Sequence, residues 1–141
     1  MTAAHAVSIA VTFVWLGMVV AISFLEAPLK FRAPGVTVRL GLGIGRLVFR
    51  ALNVTEVVWA ALLVAGLLVG GLPAGVLVAG ATAVAVLVVQ LVGVRPRLTR
   101  RSDRVLAGEA VPRSHAHYAY IGLEVVKVVA LLVTGILLLG A

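Results

Sequence analysis

Residues 51–73 read ALNVTEVVWAALLVAGLLVGGLP. From Ala51 to Gly70 the run is long enough to cross the hydrocarbon of a bilayer as one helix, which takes roughly 20 apolar residues. It closes on Gly70-Gly71-Leu72-Pro73, a tight turn in which glycine and proline end one helix and start the next. The residues from Pro73 to Val94 are apolar again, so the two runs are expected to be antiparallel neighbours. Near the start of the first run stand Asn53 and Glu56. An ionisable group at such a depth is costly in lipid and is by default a functional-site hypothesis.

The same pattern recurs along the chain. Spans are expected at about 6–25, 45–70, 73–94 and 118–140, the second having its apolar part from Ala51 and a helical lead-in before it. The runs are continuous rather than alternating, which argues for helices and against a β-barrel. Hydrophobic residues make up 62% and charged residues 12%, with a mean hydropathy of +1.20. That is too little polar surface for a soluble domain of this size. The expected class is an all-α polytopic membrane protein, a single antiparallel four-helix transmembrane domain over residues 1–141. The chain has no cysteine, which excludes disulfides, thiolate metal sites and thiol nucleophiles. The N-terminal residues lack the basic region of a signal peptide and the apolar run after them is too long for one, so the first span is read as retained.

Charge sets the expected orientation. The first connection holds Lys30, Arg32 and Arg39, and the third holds Arg95, Arg97, Arg100, Arg101, Arg104 and Arg113 against Asp103 and Glu109. The second connection and the two termini carry no Lys, Arg, Asp or Glu. Positive loops stay in the cytoplasm, so both termini are expected outside, in the inner (plasma) membrane. The net charge of +7 is thereby read as orientation against anionic headgroups rather than as nucleic-acid binding. Small residues at Ala60, Ala61, Ala65 and Gly66, and at Gly80, Ala81, Ala83 and Ala85, permit close helix approach.

Residues three or four apart share a helix face. Arg46, Arg50, Asn53 and Glu56 form one such stripe, and His117, Tyr120, Glu124 and Lys127 form another. Both begin at the basic edge. At about 1.5 Å per residue, Glu56 lies roughly 7–9 Å inside the apolar boundary and Lys127 about as deep, so the two are expected to pair. Glu124 is expected to pair with Arg50 one turn nearer the edge, with Gln90 and Glu26 in the same half. The stripes point to a one-sided pocket. In it Glu56 and Glu124 are candidate general bases, Tyr120 and His117 candidate acids, and Arg46, Arg50, Asn53, Gln90 and Lys127 candidate ligand-binding groups. The competing readings are snorkelling for Arg46 and Arg50, interhelical amide bonding for Asn53 and Gln90, and a structural ion pair for Glu56 and Lys127. A buried ion pair adds little net stability, which favours function there. His5, Trp15 and Trp59 are assigned no chemistry. No metal site is expected, because His115 and His117 do not share a face. Haem is disfavoured, with His117 alone placed as an axial ligand. Gly41-Leu42-Gly43-Ile44-Gly45 follows no strand and is not read as a dinucleotide loop.

The stretch from Gly45 to Glu56, with Gln90 and the run from Ser114 to Lys127, resembles a family of small bacterial four-helix integral membrane proteins of unknown function. The Arg50-Ala51…Asn53…Glu56 stretch is also similar to the second-helix motif of the membrane-associated eicosanoid and glutathione metabolism superfamily, although Arg50 and Asn53 stand one residue closer than in that motif. This resemblance implies a trimer, an outward N-terminus and a cytoplasm-side pocket. There Arg50, Asn53 and Glu56, helped by Tyr120, would grip a thiol peptide such as glutathione.

Three functions are compatible with these readings. The favoured one is a membrane-embedded enzyme or binding protein whose cytoplasm-facing pocket takes an amphipathic anionic small molecule, the chain forming a homo-oligomer (dimer or trimer). The others are a proton-coupled transporter, which would use intramembrane Glu and Lys as a relay, and an accessory subunit whose polar stripes pair with a partner helix.

Overall fold

The computed structural model describes residues 1–112 and 115–141. Arg113 of the basic third connection and Ser114 lie outside them. Among the described residues all regular structure is helical. Four helices, α1 (Ala3–Lys30), α2 (Val38–Val69), α3 (Ala74–Leu106) and α4 (His115–Gly140), are each long and apolar enough to cross a membrane, the architecture of a multi-pass membrane protein.

The helices outrun the apolar spans. α1 continues past residue 25 to Lys30, α2 starts at Val38 rather than near 45, and α3 runs beyond residue 94 through its basic stretch to Leu106. Hydropathy marks where hydrocarbon ends. The helix itself ends where its terminal N–H and C=O groups find other partners or a residue turns left-handed. The Thr2 hydroxyl accepts from the His5 N–H, and the Thr37 hydroxyl accepts from the Leu40 N–H, each at 3.1 Å. Gly71 at φ 57° turns the chain from α2 into α3, and Gly108 at φ 95° stops α3.

Two stretches depart from α geometry. Val20–Glu26 in α1 and Gln90–Val94 in α3 are π-helical. Each closes two residues before a proline, Pro28 and Pro96. A helical proline lacks the N–H for its turn and its ring crowds the carbonyl four residues back. Widening the preceding turn relieves both, and the Ala27 and Arg95 N–H groups bond instead to Ile22 and Gln90, five residues back. The widened turns carry Ser23, Glu26 and Gln90, polar groups that a regular helix would place elsewhere around the axis.

The apolar core gathers around Trp15, Leu63 and Leu131, none of them exposed, with Val76, Ala83, Leu87 and Leu138 packed in the same cluster. The buried hydroxyls of Ser8, Thr12 and Thr134 are satisfied locally, donating to the carbonyls of Ala4, Ser8 and Ala130 at 2.8, 2.7 and 2.6 Å. His5 Nε2 meets the Leu138 carbonyl at 2.6 Å, tying the start of α1 to the end of α4. Leu47, Val54, Val57 and Leu68 on α2, and Val125, Val129 and Ile136 on α4, stay exposed and present apolar surface outward.

Close helix contact at Gly135 is needed for this packing: a Cβ there would lie 2.6 Å from the Phe13 ring. Gly135→Leu is expected to destabilise the bundle by about 1–3 kcal/mol through overpacking, read as a lower midpoint of thermal unfolding in detergent. Gly140→Leu, at a position with nothing within 4 Å, should leave the midpoint unchanged.

Candidate functional site

The polar half of the interior is organised by one ammonium. Lys127 is fully buried on α4. A lysine ammonium has three donors and no acceptor, and each donor has a target. Nζ lies 2.5 Å from Glu56 Oε1 on α2, 2.6 Å from Glu124 Oε1 on its own helix and 2.9 Å from Gln90 Oε1 on α3. α1 completes the cluster: Trp15 Nε1 donates to Glu56 Oε1 at 3.1 Å, and the Ser23 hydroxyl donates to Glu124 Oε2 at 2.7 Å. Gln90 Nε2 turns back to Glu124 Oε1 at 3.3 Å. Each of the four helices thus contributes a side chain to one network. Two carboxyls face one ammonium, so the trio is one negative charge in excess when both are ionised. Glu56 Oε2 finds no hydrogen-bond partner among the described residues.

Next to the cluster, toward the basic loops, lies a cavity of about 410 Å³. Glu124, Ser23 and Tyr120 lie in its wall where it meets the network, and His117 lines it nearer the start of α4. Four cations also line it: Lys30, Arg46, Arg95 and Arg101. Three of these have polar partners, Lys30 through an ion pair with Glu26 at 3.7 Å. Arg46 pairs with Asp103 at 2.6 Å, and Arg101 donates to the carbonyls of Pro112 and Val111 at 3.0 and 3.1 Å. The Arg95 guanidinium lies over the rings of Phe49 and Tyr120, 5.2 and 5.5 Å from their centroids, and Lys30 Nζ lies 5.8 Å from the Phe49 centroid. The Tyr120 hydroxyl is buried without a hydrogen-bond partner among the described residues.

The expected pairing of Glu56 with Lys127 is present. The expected pairing of Glu124 with Arg50 is not: Glu124 shares Lys127, and Arg50 is exposed. Periodicity gives the stripe but not its exact centre. The face of α2 turned inward runs through Phe49, Leu52 and Glu56, which leaves Arg50 at the edge of the stripe on the outer side. Asn53 is half-buried, its Oδ1 meets no partner among the described residues, and it lies outside both network and cavity wall. Arg50, Asn53 and Glu56 are therefore not gathered at one pocket. Gln90 and Lys127 belong to the network and not to the cavity wall, as does Glu56. His117, Tyr120, Glu124 and Arg46 line the cavity.

The sequence reading passed over Ser23, Trp15, Lys30, Phe49 and Arg95. Pro28 and Pro96, which follow the π turns, were the available signals for the shifted register of Ser23 and Gln90. Among the described residues there is no group of His, Cys, Asp or Glu side chains that could hold a metal ion. Comparison with protein families, curated proteins and solved structures finds no match for this chain.

Removing the ammonium should expose the cost of the cluster. Lys127→Met strands two buried carboxylates and is expected to cost about 3–5 kcal/mol, read as a large fall in thermal stability. Adding Glu56→Gln and Glu124→Gln should recover most of that loss. A triple variant as unstable as the single one would show that charge compensation is not what holds the cluster.

Proposed function

We propose that this protein is a membrane-embedded binding protein or enzyme that takes an amphipathic anionic small molecule into the cavity beside Glu124. The observation that carries this reading is the wall of that cavity. It combines cationic side chains with apolar ones, Phe24, Leu42 and Ile121 among them, and it meets the carboxyl of Glu124. Cations attract an anionic head, apolar walls accept the rest, and a buried carboxyl beside a tyrosine is equipped for proton transfer. Glu124 acts as the base and Tyr120 or His117 as the acid, while Glu56, Gln90 and Lys127 hold Glu124 in place. A thiol peptide such as glutathione belongs to this ligand class and would be held by the cavity's cations rather than by Arg50 and Asn53.

The bundle is antiparallel in this reading. That is supported by His5 meeting Leu138 while Ser23 meets Glu124, and by Trp15 meeting Glu56 while Ser8 lies against Gly66 of the same neighbouring helix. The basic connections then share one end, which positive loops assign to the cytoplasm, leaving both termini outside the inner (plasma) membrane. Transport finds less support. Beyond Glu56 the interior is closed by Trp15, Leu63 and Leu131, and the buried hydroxyls of Ser8, Thr12 and Thr134 there are bonded to carbonyls of their own helices, whereas transporter sites have access from two sides.

Native mass spectrometry of the protein released from mild detergent tests the reading. The expected result is a dimer or trimer that retains an amphipathic anion, and Glu124→Gln should lose the retained mass while keeping the subunit number. A folded wild-type particle that never carries an anion would count against it. Orientation has a separate test, since the chain has no cysteine. In intact cells an impermeant maleimide should label Ala141→Cys and spare Arg100→Cys; the reverse pattern would invert the topology.

A further inference from the structure

Lys30 and Arg95 come from different helices and converge on one aromatic ring. Lys30 Nζ is 5.8 Å and Arg95 Cζ 5.2 Å from the centroid of Phe49. Lys30 lies against Gly45, where a Cβ would meet its Nζ at 3.0 Å, so the missing side chain on α2 gives the ammonium its place. Lys30 has one acid, Glu26, in an i,i+4 ion pair at 3.7 Å whose carboxylate side is 35% exposed, and Arg95 forms no salt bridge among the described residues. The third group is the Tyr120 hydroxyl: the residue is 7% exposed, Arg95 lies over its ring, and its oxygen has no hydrogen-bond partner among the described residues. Glu124, the carboxyl in the same wall, is already engaged by Lys127 and Ser23.

Resting on the amphipathic-anion reading, we propose that Lys30, Arg95 and Tyr120 form a seat for a phosphate monoester head. Such a head carries a charge of about −1.5 to −2 and three acceptor oxygens. Arg95, and Lys30 beyond its long pair with Glu26, offer positive charge, and an ammonium, a guanidinium fork and a hydroxyl supply donors for the three oxygens. A carboxylate has two oxygens and would leave one of the three donor groups without an acceptor. Phe24 on α1 and Ile121 on α4 both line the cavity and are 37% and 42% exposed. They mark where an alkyl chain attached to the phosphate passes from the cavity into lipid.

The test is calorimetric titration of the full chain in phosphatidylcholine nanodiscs with octyl phosphate, octanoate and inorganic phosphate. Octyl phosphate is expected to bind, with the other two weaker by about tenfold or more. Lys30→Gln and Arg95→Gln should each weaken octyl phosphate by about tenfold or more, and Tyr120→Phe by several-fold. Arg97→Gln, at an exposed position outside the cavity wall, should change nothing. Arg95→Lys, which keeps the charge and loses the fork, should lose part of the affinity, so it and Tyr120→Phe carry the test if Arg95→Gln fails to fold. Octanoate binding as tightly as octyl phosphate would overturn the phosphate seat and leave the anion cavity standing. Inorganic phosphate binding as tightly, with the same dependence on Lys30 and Arg95, would support the seat and identify its source as free phosphate rather than a lipid head. Binding of neither amphiphile would overturn the cavity reading and the seat together.

Discussion

The ammonium of Lys127 constrains the whole interior. Buried beyond reach of solvent, it must have acceptors for its three donors, and it draws them from α2, α3 and its own helix. An unpaired charge in that position would cost several kcal/mol. Fixing these three contacts fixes how far each helix slides and how it rotates. Trp15 and Ser23 then bring in α1 by bonding the two carboxyls. The apolar core around Leu63 and Leu131 supplies adhesion, but leucine and valine tolerate rotation in a way that a shared ammonium does not. A buried ion network gives little net stability in exchange for its desolvation, so its retention is better understood as a requirement of the adjacent cavity than as a source of strength.

The prolines explain how two helices reach that network. Pro28 and Pro96 each force the turn before them open, and the open turns hold Ser23 and Gln90, the groups that α1 and α3 offer to Glu124 and Lys127. Beyond those turns the same helices supply Lys30 and Arg95 to the wall of the cavity. One distortion thus serves two levels, seating a neutral donor or acceptor in the network and redirecting a cation toward Phe49. π turns are found disproportionately at functional sites for this kind of reason.

Legibility in the sequence differed by residue. Glu56 and Lys127 were readable as partners because each lies at a countable depth from a basic boundary, and depth along a helix follows from residue number alone. Glu124 was readable as buried but not as sharing Lys127. Arg50 was misplaced because a stripe of four residues covers a broad arc, and whether its edge faces inward depends on the neighbour's packing. In α2 that neighbour relation favours Phe49. Lys30 and Arg95 looked like loop charges because hydropathy falls away before them, although the helices that carry them continue.

The sequence by itself determined that there would be four apolar helices, that the second and third would be joined by a tight Gly-Pro turn, and that ionisable groups would gather in one half. These follow from local quantities: the length of an apolar run, the backbone freedom of glycine, the missing N–H of proline, and the spacing of charges along one helix. Only the tertiary structure decided which acceptors share the Lys127 ammonium, which cations turn toward the cavity and which stay outside, and that the Tyr120 hydroxyl ends there with no hydrogen-bond partner among the described residues. Those outcomes depend on the rotation and slide of one helix against three others. They are set by interactions between residues far apart in the chain, for which no periodicity in a single segment carries information.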